Sequence, residues 1–347
     1  MQLALDDKAG YWRQIVLSPP SRFVDEVTSG ALQWMQAGLR VVLVTLAGID
    51  GHSPRPAGSQ MAVNENGGWI GQISSDCVEE AIVREALDCI AVGVARTVRF
   101  GRGSKYIDVR LPCGSGLDIH FDPAVPLSVL AELDAARRAR IPAALTWTDS
   151  DPASTGTTQQ RVIAAPAARV SSELRAALPD GCQARCYQPA TRVLVAGRGS
   201  HADALIEIAR NLDWEVAIAS PNADLIARHE GSCIWSQHLT GPGRFETSAI
   251  DDWTAVVLLF HDHDWEPQIL ARAVKSNAFY IGALGSRQSH AERLKRLHGM
   301  GVSQQASARI KGPVGLDIGA STPPEVALAI AGEIIAARKR VQWPLML

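Results

Sequence analysis

The chain has no C-x-x-C pair and no cysteine–histidine spacing of the kind that holds structural zinc; its six cysteines stand apart at 77, 89, 113, 182, 186 and 233. A zinc-ribbon architecture is excluded by that spacing, and in a reducing compartment the cysteines are expected to be free thiols. An excess of charge of one sign is also lacking. Lys and Arg total 34 against 36 Asp and Glu, which argues against a nucleic-acid partner, because such domains carry a basic surplus. The one basic cluster, Arg137-Arg-Ala-Arg140, reads as a solvated helix face. No apolar run approaches the length of a membrane span. The opening Met1-Gln-Leu-Ala-Leu-Asp-Asp-Lys8 lacks the basic segment and apolar core of a secretory signal, so no membrane and a cytoplasmic location are expected.

With 347 residues, 46% hydrophobic and 20% charged, the chain has the composition of a soluble globular protein and the length of two ordinary domains. Pro-, Gly- and polar-rich residues 167–190 look like the edge of the first, which puts the domains at 1–188 and 189–347. The second opens on the stretch around which the chain is organised. Val193–Ala196 is a short β-branched apolar run, Gly197 and Gly199 leave a bare turn, and Ala202, Leu205, Ile206 and Ala209 recur at helical spacing. A second apolar run, Val216–Ala219, completes a strand–helix–strand unit. Gly-x-Gly-x-x-Ala in that setting is the dinucleotide-binding fingerprint, in which a helix N-terminus receives a phosphate. Glycines used only for close strand–helix packing are the alternative. The acidic residue that usually grips a ribose about 20 residues on is missing; Ser220-Pro-Asn222 stands there.

In the first half, residues 20–37 read as an amphipathic helix and Leu39–Leu46 as a strand covered on both faces. Gly48–Ser59 is a loop containing a single arginine, Arg55, and Gln60–Val63 with Trp69–Ile73 form a hairpin. Ser75 or Asp76 is expected to cap the next helix with Glu79, which places Cys77 in its first turn, where the helix dipole favours a thiolate. Cys89 falls on the apolar stripe and reads as core. Strands follow at 97–100, 106–111 and around Leu117–Phe121, and Pro112-Cys-Gly-Ser-Gly116 is a turn whose Cys113 is either a thiol presented beside a flexible backbone or a buried structural cysteine of a hairpin. A helix at 127–140 and strands at 143–148 and 161–165 complete this half.

The second half continues with the buried strand Ala255–Phe260, which ends in His261-Asp-His-Asp-Trp265, either a metal-binding group or an exposed loop lining a cleft. Phe279–Gln288 is another strand-to-helix turn, opened by Gly282 and Gly285, with Ser286 as cap and Arg287 as a partner for an anion. Thr322, two prolines and Glu325 begin the last helix in a capping box. Gly-rich loops that open helices suggest a large anionic ligand. The fold class is α/β, with an N-terminal domain of mixed sheet and a C-terminal Rossmann-like, doubly wound parallel sheet.

These residues together resemble the XdhC/CoxI family, accessory factors that mature molybdenum hydroxylases. The resemblance runs through Ser53-Pro-Arg-Pro-Ala-Gly-Ser-Gln-Met-Ala-Val63, Ile73-Ser-Ser-Asp-Cys-Val-Glu79 and Pro112-Cys-Gly114. It continues through Val195-Ala-Gly-Arg-Gly199, His261-Asp262, Tyr280-Ile-Gly-Ala-Leu-Gly-Ser-Arg287 and Gly312–Ala320. It implies a carrier without turnover of its own. Such a carrier binds molybdenum cofactor (molybdopterin, or its cytidine dinucleotide form) and shields it while a cysteine desulfurase replaces an oxo ligand by sulfide. It then inserts the cofactor into an apo molybdenum hydroxylase of the xanthine dehydrogenase type, and a homodimer is plausible. The implied binding set is Arg55, Cys77, Cys113, Gly197, Gly199, His261, Gly282, Gly285, Ser286 and Arg287, with Cys113 and Cys77 near the metal. Three departures stand out: Ser75-Asp76 replaces the Gly-Gly that the family usually places before its cysteine, Ser115 replaces a second glycine after Cys113, and Ser220-Pro-Asn222 replaces Asp-x-Arg. The competing functions are an NAD(P)-dependent oxidoreductase and an assembly scaffold that binds no ligand.

Overall fold

The computed structural model describes residues 27–74, 78–104, 114–148, 161–164, 182–260 and 264–339. The chain divides into two compact units, which meet in sequence between Gln188 and Pro189.

In the first unit, helix α1 (Thr28–Gln36) precedes β1 (Val41–Asp50), β2 (Gln60–Asn64) and β3 (Trp69–Gly71). Helix α2 (Glu79–Val92), β4 (Arg96–Gly101), β5 (Gly116–Asp122) and α3 (Leu127–Arg138) follow. The five strands form one sheet in the order β3-β2-β1-β5-β4. Strand β1 is central and covered on both faces, as its unbroken apolar run predicts. Val42, Val44 and Leu46 pack with Ile82, Ala86 and Cys89 of α2. Val41 and Leu43 pack on the other side with Leu32 and Trp34 of α1 and Leu130 and Leu133 of α3. Every described strand pair in this unit is antiparallel, which corrects the expected mixed sheet within the α/β class. The hairpin turn at 64–68 supplies one antiparallel neighbour directly, and a parallel pair would need a long crossover.

Two local expectations also change. Helix α2 starts at Glu79 with Val78 in the N-cap position. The Glu79 carboxylate reaches back to accept from the Ser74 amide at 2.7 Å and the Ser74 hydroxyl at 2.6 Å; Ser75 and Asp76, the expected caps, lie outside the described residues. The stretch expected to be the domain edge contains a strand, β8 (Cys182–Tyr187), which pairs with β6 (Ala143–Thr148), itself flanked by β7 (Arg161–Ala164). A buried arginine breaks its apolar pattern. Arg185 donates to the Gly58 carbonyl and its guanidinium lies 4.6 Å from the Tyr187 ring centre.

The second unit runs β9 (Arg192–Gly197), α4 (Ser200–Asn211), β10 (Glu215–Ser220), α5 (Ala223–His229), β11 (Trp235–His238) and β12 (Thr254–Leu259). It ends with α6 (Glu266–Ala273), β13 (Tyr280–Ala283), α7 (Arg287–Gly299), α8 (Gln304–Ser307), β14 (Ile310–Lys311) and α9 (Pro323–Arg338). Its sheet, β11-β10-β9-β12-β13-β14, is wholly parallel and reverses direction of winding between β9 and β12. That is the doubly wound order, whose switch point is a ligand crevice. One core lies against α4 and α9 through Leu205, Ile206, Ile330 and Ile334; the other lies against α6 and α7 through Ile269, Leu270 and Leu297. Among the described residues no helix is long and apolar enough to cross a membrane.

Burial sets thiol reactivity in the first unit. It pushes the Cys89 thiol up to about 12 and the Cys186 thiol up to about 11, so neither ionises near neutrality. Brief alkylation of the native protein at pH 8, read by mass spectrometry, is expected to spare both and to modify the half-exposed Cys233. Modification of Cys89 without prior unfolding would contradict the core placement.

Candidate functional site

The first glycine-rich turn is built by close packing. A Cβ on Gly197 would lie 2.5 Å from the Leu259 carbonyl oxygen, so only glycine lets β9 run this close to β12. The Arg198 amide donates to the same oxygen at 3.3 Å. Gly199 follows with φ +80° and nothing within 4 Å of where a side chain would begin. It stands at the N-cap of α4, and no side chain caps that helix. The helix therefore starts from a bare, exposed backbone, and the Ala202 and Asp203 amides donate to the Gly199 carbonyl.

Beside this turn lies a cleft of about 350 Å³ lined by Arg198, Pro221, Asn222, Ala223 and Asp224. The missing ribose acid has a structural explanation. The Ser220 hydroxyl is buried and accepts from the Asn222 amide at 3.0 Å. The Asn222 side chain caps α5, accepting from the amides of Asp224 at 2.8 Å and Leu225 at 3.2 Å. The strand end thus turns the chain instead of presenting a carboxylate. Arg198 and Asp224 are the charged groups that sequence spacing missed. Arg198 fills the variable position between the two glycines, and Asp224 lies four residues past the strand end, where the fingerprint assigns no role.

The second turn, after β13, mixes packing with exposure. Gly282 lies inside β13 and makes room for Val314 and for the Tyr280 hydroxyl, which a Cβ would meet at 2.8 Å, so its role is to pack beneath the loop. Gly285 takes φ +135°. The Ser286 hydroxyl caps α7 by accepting from the Ser289 amide at 3.1 Å, as its spacing predicts. Arg287 opens the helix as an exposed cation with no ion pair among the described residues. Behind it, Glu333 accepts from the Tyr280 hydroxyl at 2.5 Å and the Gly315 amide at 2.8 Å, which pins the third glycine-rich loop to α9. The expected capping box at Thr322 and Glu325 is present, and its amide and hydroxyl donors hold the Glu325 carboxyl down to about 2.

In the first unit, Arg55 sits half-buried on the loop between β1 and β2. Loss of water lowers its pKa, and the facing charge of Glu79 opposes that shift, which puts Arg55 near the start of α2. Ser115 joins the same loop to the far end of the sheet. Its hydroxyl accepts from the His52 amide at 2.9 Å and its carbonyl from the Arg102 amide at 2.9 Å. Cys77, Cys113 and His261 lie outside the described residues. The rings of Phe260 and Trp265 stack with centres 5.9 Å apart. Among the described residues no group of three His, Cys, Asp or Glu side chains is placed to hold a metal ion.

Two measurements check these assignments. Gly197→Ala is expected to destabilise the protein in urea unfolding by more than Gly199→Ala, whose cost is the roughly 1–3 kcal/mol of an alanine held at φ +80°, ψ −171° in open space. Equal effects would show that Gly197 is not a packing glycine. His290, beside Arg293, has its pKa lowered by burial first and by the Arg293 charge second. The fold disfavours its protonated form, so this contribution to stability is intact at neutral pH. It is lost as pH falls from about 6.5, the ordinary imidazole value. The melting temperature is expected to drop more steeply on acidification in the parent than in His290→Gln, and parallel slopes would refute the coupling.

Comparison with known proteins places these features. The family described as the XdhC Rossmann domain matches residues 193–334, and the XdhC and CoxI family matches residues 34–101. The chain is 31% identical over 345 residues to the "Molybdenum cofactor insertion chaperone PaoD" of Escherichia coli (strain K12), covering 97% of this chain and 96% of that protein. It is 38% identical over 87 residues to a probable xanthine dehydrogenase subunit of Bacillus subtilis (strain 168), about a quarter of each chain: 25% of this one and 24% of that one. A crystal structure described as a xanthine dehydrogenase from Bacillus halodurans shares the fold, with a TM-score of 0.71 at 19% identity over 91% of this chain and 96% of that one. The chain belongs to the XdhC and CoxI family.

Proposed function

We propose that this chain is an accessory factor that binds molybdenum cofactor as cargo and shields it while a cysteine desulfurase exchanges an oxo ligand for sulfide. It then inserts the cofactor into an apo molybdenum hydroxylase of the xanthine dehydrogenase type. The observation that carries the proposal is the end-to-end likeness to a protein named as a molybdenum cofactor insertion chaperone. A cytoplasmic setting, a homodimer and the absence of turnover belong to the same proposal.

The binding groups divide by chemistry. Gly199, set by Gly197, and the uncapped start of α4 offer amides to a phosphate, and Arg287, on the turn shaped by Gly282, Gly285 and Ser286, offers a charge. Arg55 would meet an acidic part of the pterin. Cys77 and Cys113 would supply soft donors to a molybdenum already held by a dithiolene, and His261 would border the cargo. The finer form of the cargo is also a proposal: in the cytidine dinucleotide form, the cleft between Arg198 and Asp224 gives the added nucleotide a place beside the Gly199 turn.

The test is expression in a host that makes the cofactor, followed by assays for bound molybdenum and for the fluorescent oxidised pterin. Near-stoichiometric amounts of both are expected, falling at least fivefold in Cys113→Ala. Traces unchanged by that substitution would overturn the proposed site. Release of cytidine monophosphate on acid hydrolysis would identify the dinucleotide form.

A further inference from the structure

We infer that Arg293, fixed by Glu266, is the positioning residue of the Leu284–Arg287 turn, and so sets where that turn can hold its ligand. The ligand part rests on the proposed cofactor-binding role; the positioning part does not. Both side chains are almost wholly out of water, at 2% exposure each. Arg293 donates from Nε to Glu266 Oε2 at 3.0 Å and from Nη2 to Glu266 Oε1 at 3.2 Å. Nη2 also donates to the Leu284 carbonyl at 2.5 Å, and Nη1 lies 3.4 Å from Nδ1 of His290.

Buried ion pairs seldom stabilise more than well-packed apolar residues would, because desolvation offsets their attraction. The third bond is what an apolar pair could not make. Leu284 is the residue between β13 and Gly285, and a Cβ on Gly285 would stand 3.3 Å from Nη2. The planar guanidinium therefore lies directly beneath the backbone that leads to Ser286 and Arg287. Glu266, in the first turn of α6, comes just after the loop that follows β12. One rigid fork thus ties the chain after β12 to the turn after β13, on neighbouring parallel strands. Through His290 it also reaches the third loop, where a Cβ on Gly312 would collide with the imidazole ring.

The test separates positioning from stability. Glu266→Leu with Arg293→Met removes both charges of the buried pair together, so the double variant is expected to melt within a few degrees of the parent. Amide hydrogen exchange by mass spectrometry is expected to speed up at least tenfold across 284–290 in that variant and to stay unchanged across 192–211. Retained oxidised pterin, measured on protein from a cofactor-making host, is expected to fall at least fivefold. Parent-like exchange in the folded double variant would overturn the inference. If the double variant does not fold, Arg293→Lys decides. A lysine keeps the charge facing Glu266 but has no planar fork to reach the Leu284 carbonyl as well. Its exchange across 284–290 should still rise, and an unchanged value would overturn the inference. A parent protein that retains no pterin would sink the proposed function, while the exchange result would still judge the positioning.

Discussion

The second unit depends on a contact that no side chain would permit: the α-carbon of Gly197 against the carbonyl of Leu259. Parallel strands β9 and β12 diverge in topology at this point, one winding toward β11 and the other toward β14. Their ends must nonetheless stay close enough for the Arg198 amide to bond the same carbonyl. That bond fixes the direction in which the chain leaves the sheet, and Gly199 then turns it through a left-handed conformation into α4. On the other side of β9, Arg198 lines a cleft with Pro221–Asp224, the chain that leaves neighbouring β10.

Much of this is legible in the sequence because its signals are local. The β-branched run, the two glycines and the helical spacing in Val193–Ala209 fix strand, turn and helix without distant partners. The same holds for the caps at Ser286 and Thr322 and for the hairpin at 60–73. Strand β8 is not legible, because its identity comes from a partner far away in the chain. Arg185 looks like a surface residue until its guanidinium is seen against the Gly58 carbonyl and the Tyr187 ring. The start of α2 draws on a partner outside the helix: the Glu79 carboxylate accepts from the Ser74 amide, five residues back. Arg293 and Glu266 are invisible as a pair, since 27 residues and a strand separate them.

In the first unit one departure from the family pattern, Ser115, has a structural account. Ser115, in place of a second glycine, ties the 51–58 loop through the His52 amide and contacts the backbone at Gly51, where a Cβ would meet its hydroxyl at 2.8 Å. An open backbone is exchanged there for a defined link between the Arg55 loop and the end of β5. The base of that link is an ion-pair network in which Arg99 bonds both Asp50 and Asp118. Such exposed pairs contribute little to stability individually, so their consequence is geometric. They hold the ends of β1, β4 and β5 together where Asp50 and Gly101 pair with Gly116.

The helix starts along the carboxyl edge of the parallel sheet are not equivalent, and the difference says where an anion would go. Helix α5 is capped by Asn222, α7 by Ser286 and α9 by Thr322 with Glu325, so part of each first turn is already satisfied within the chain. Helix α6 begins with Glu266, whose charge is answered by Arg293. Helix α4 has a glycine at its cap, no side-chain acceptor and a reachable backbone. Like α6 it has no side-chain cap, but only α4 opens on an exposed glycine. Arg287 adds an exposed charge one strand beyond β12 without competing for the same geometry. An anion at Gly199 would meet a helix start that opens on an exposed glycine, whereas α5, α7 and α9 begin behind side-chain caps.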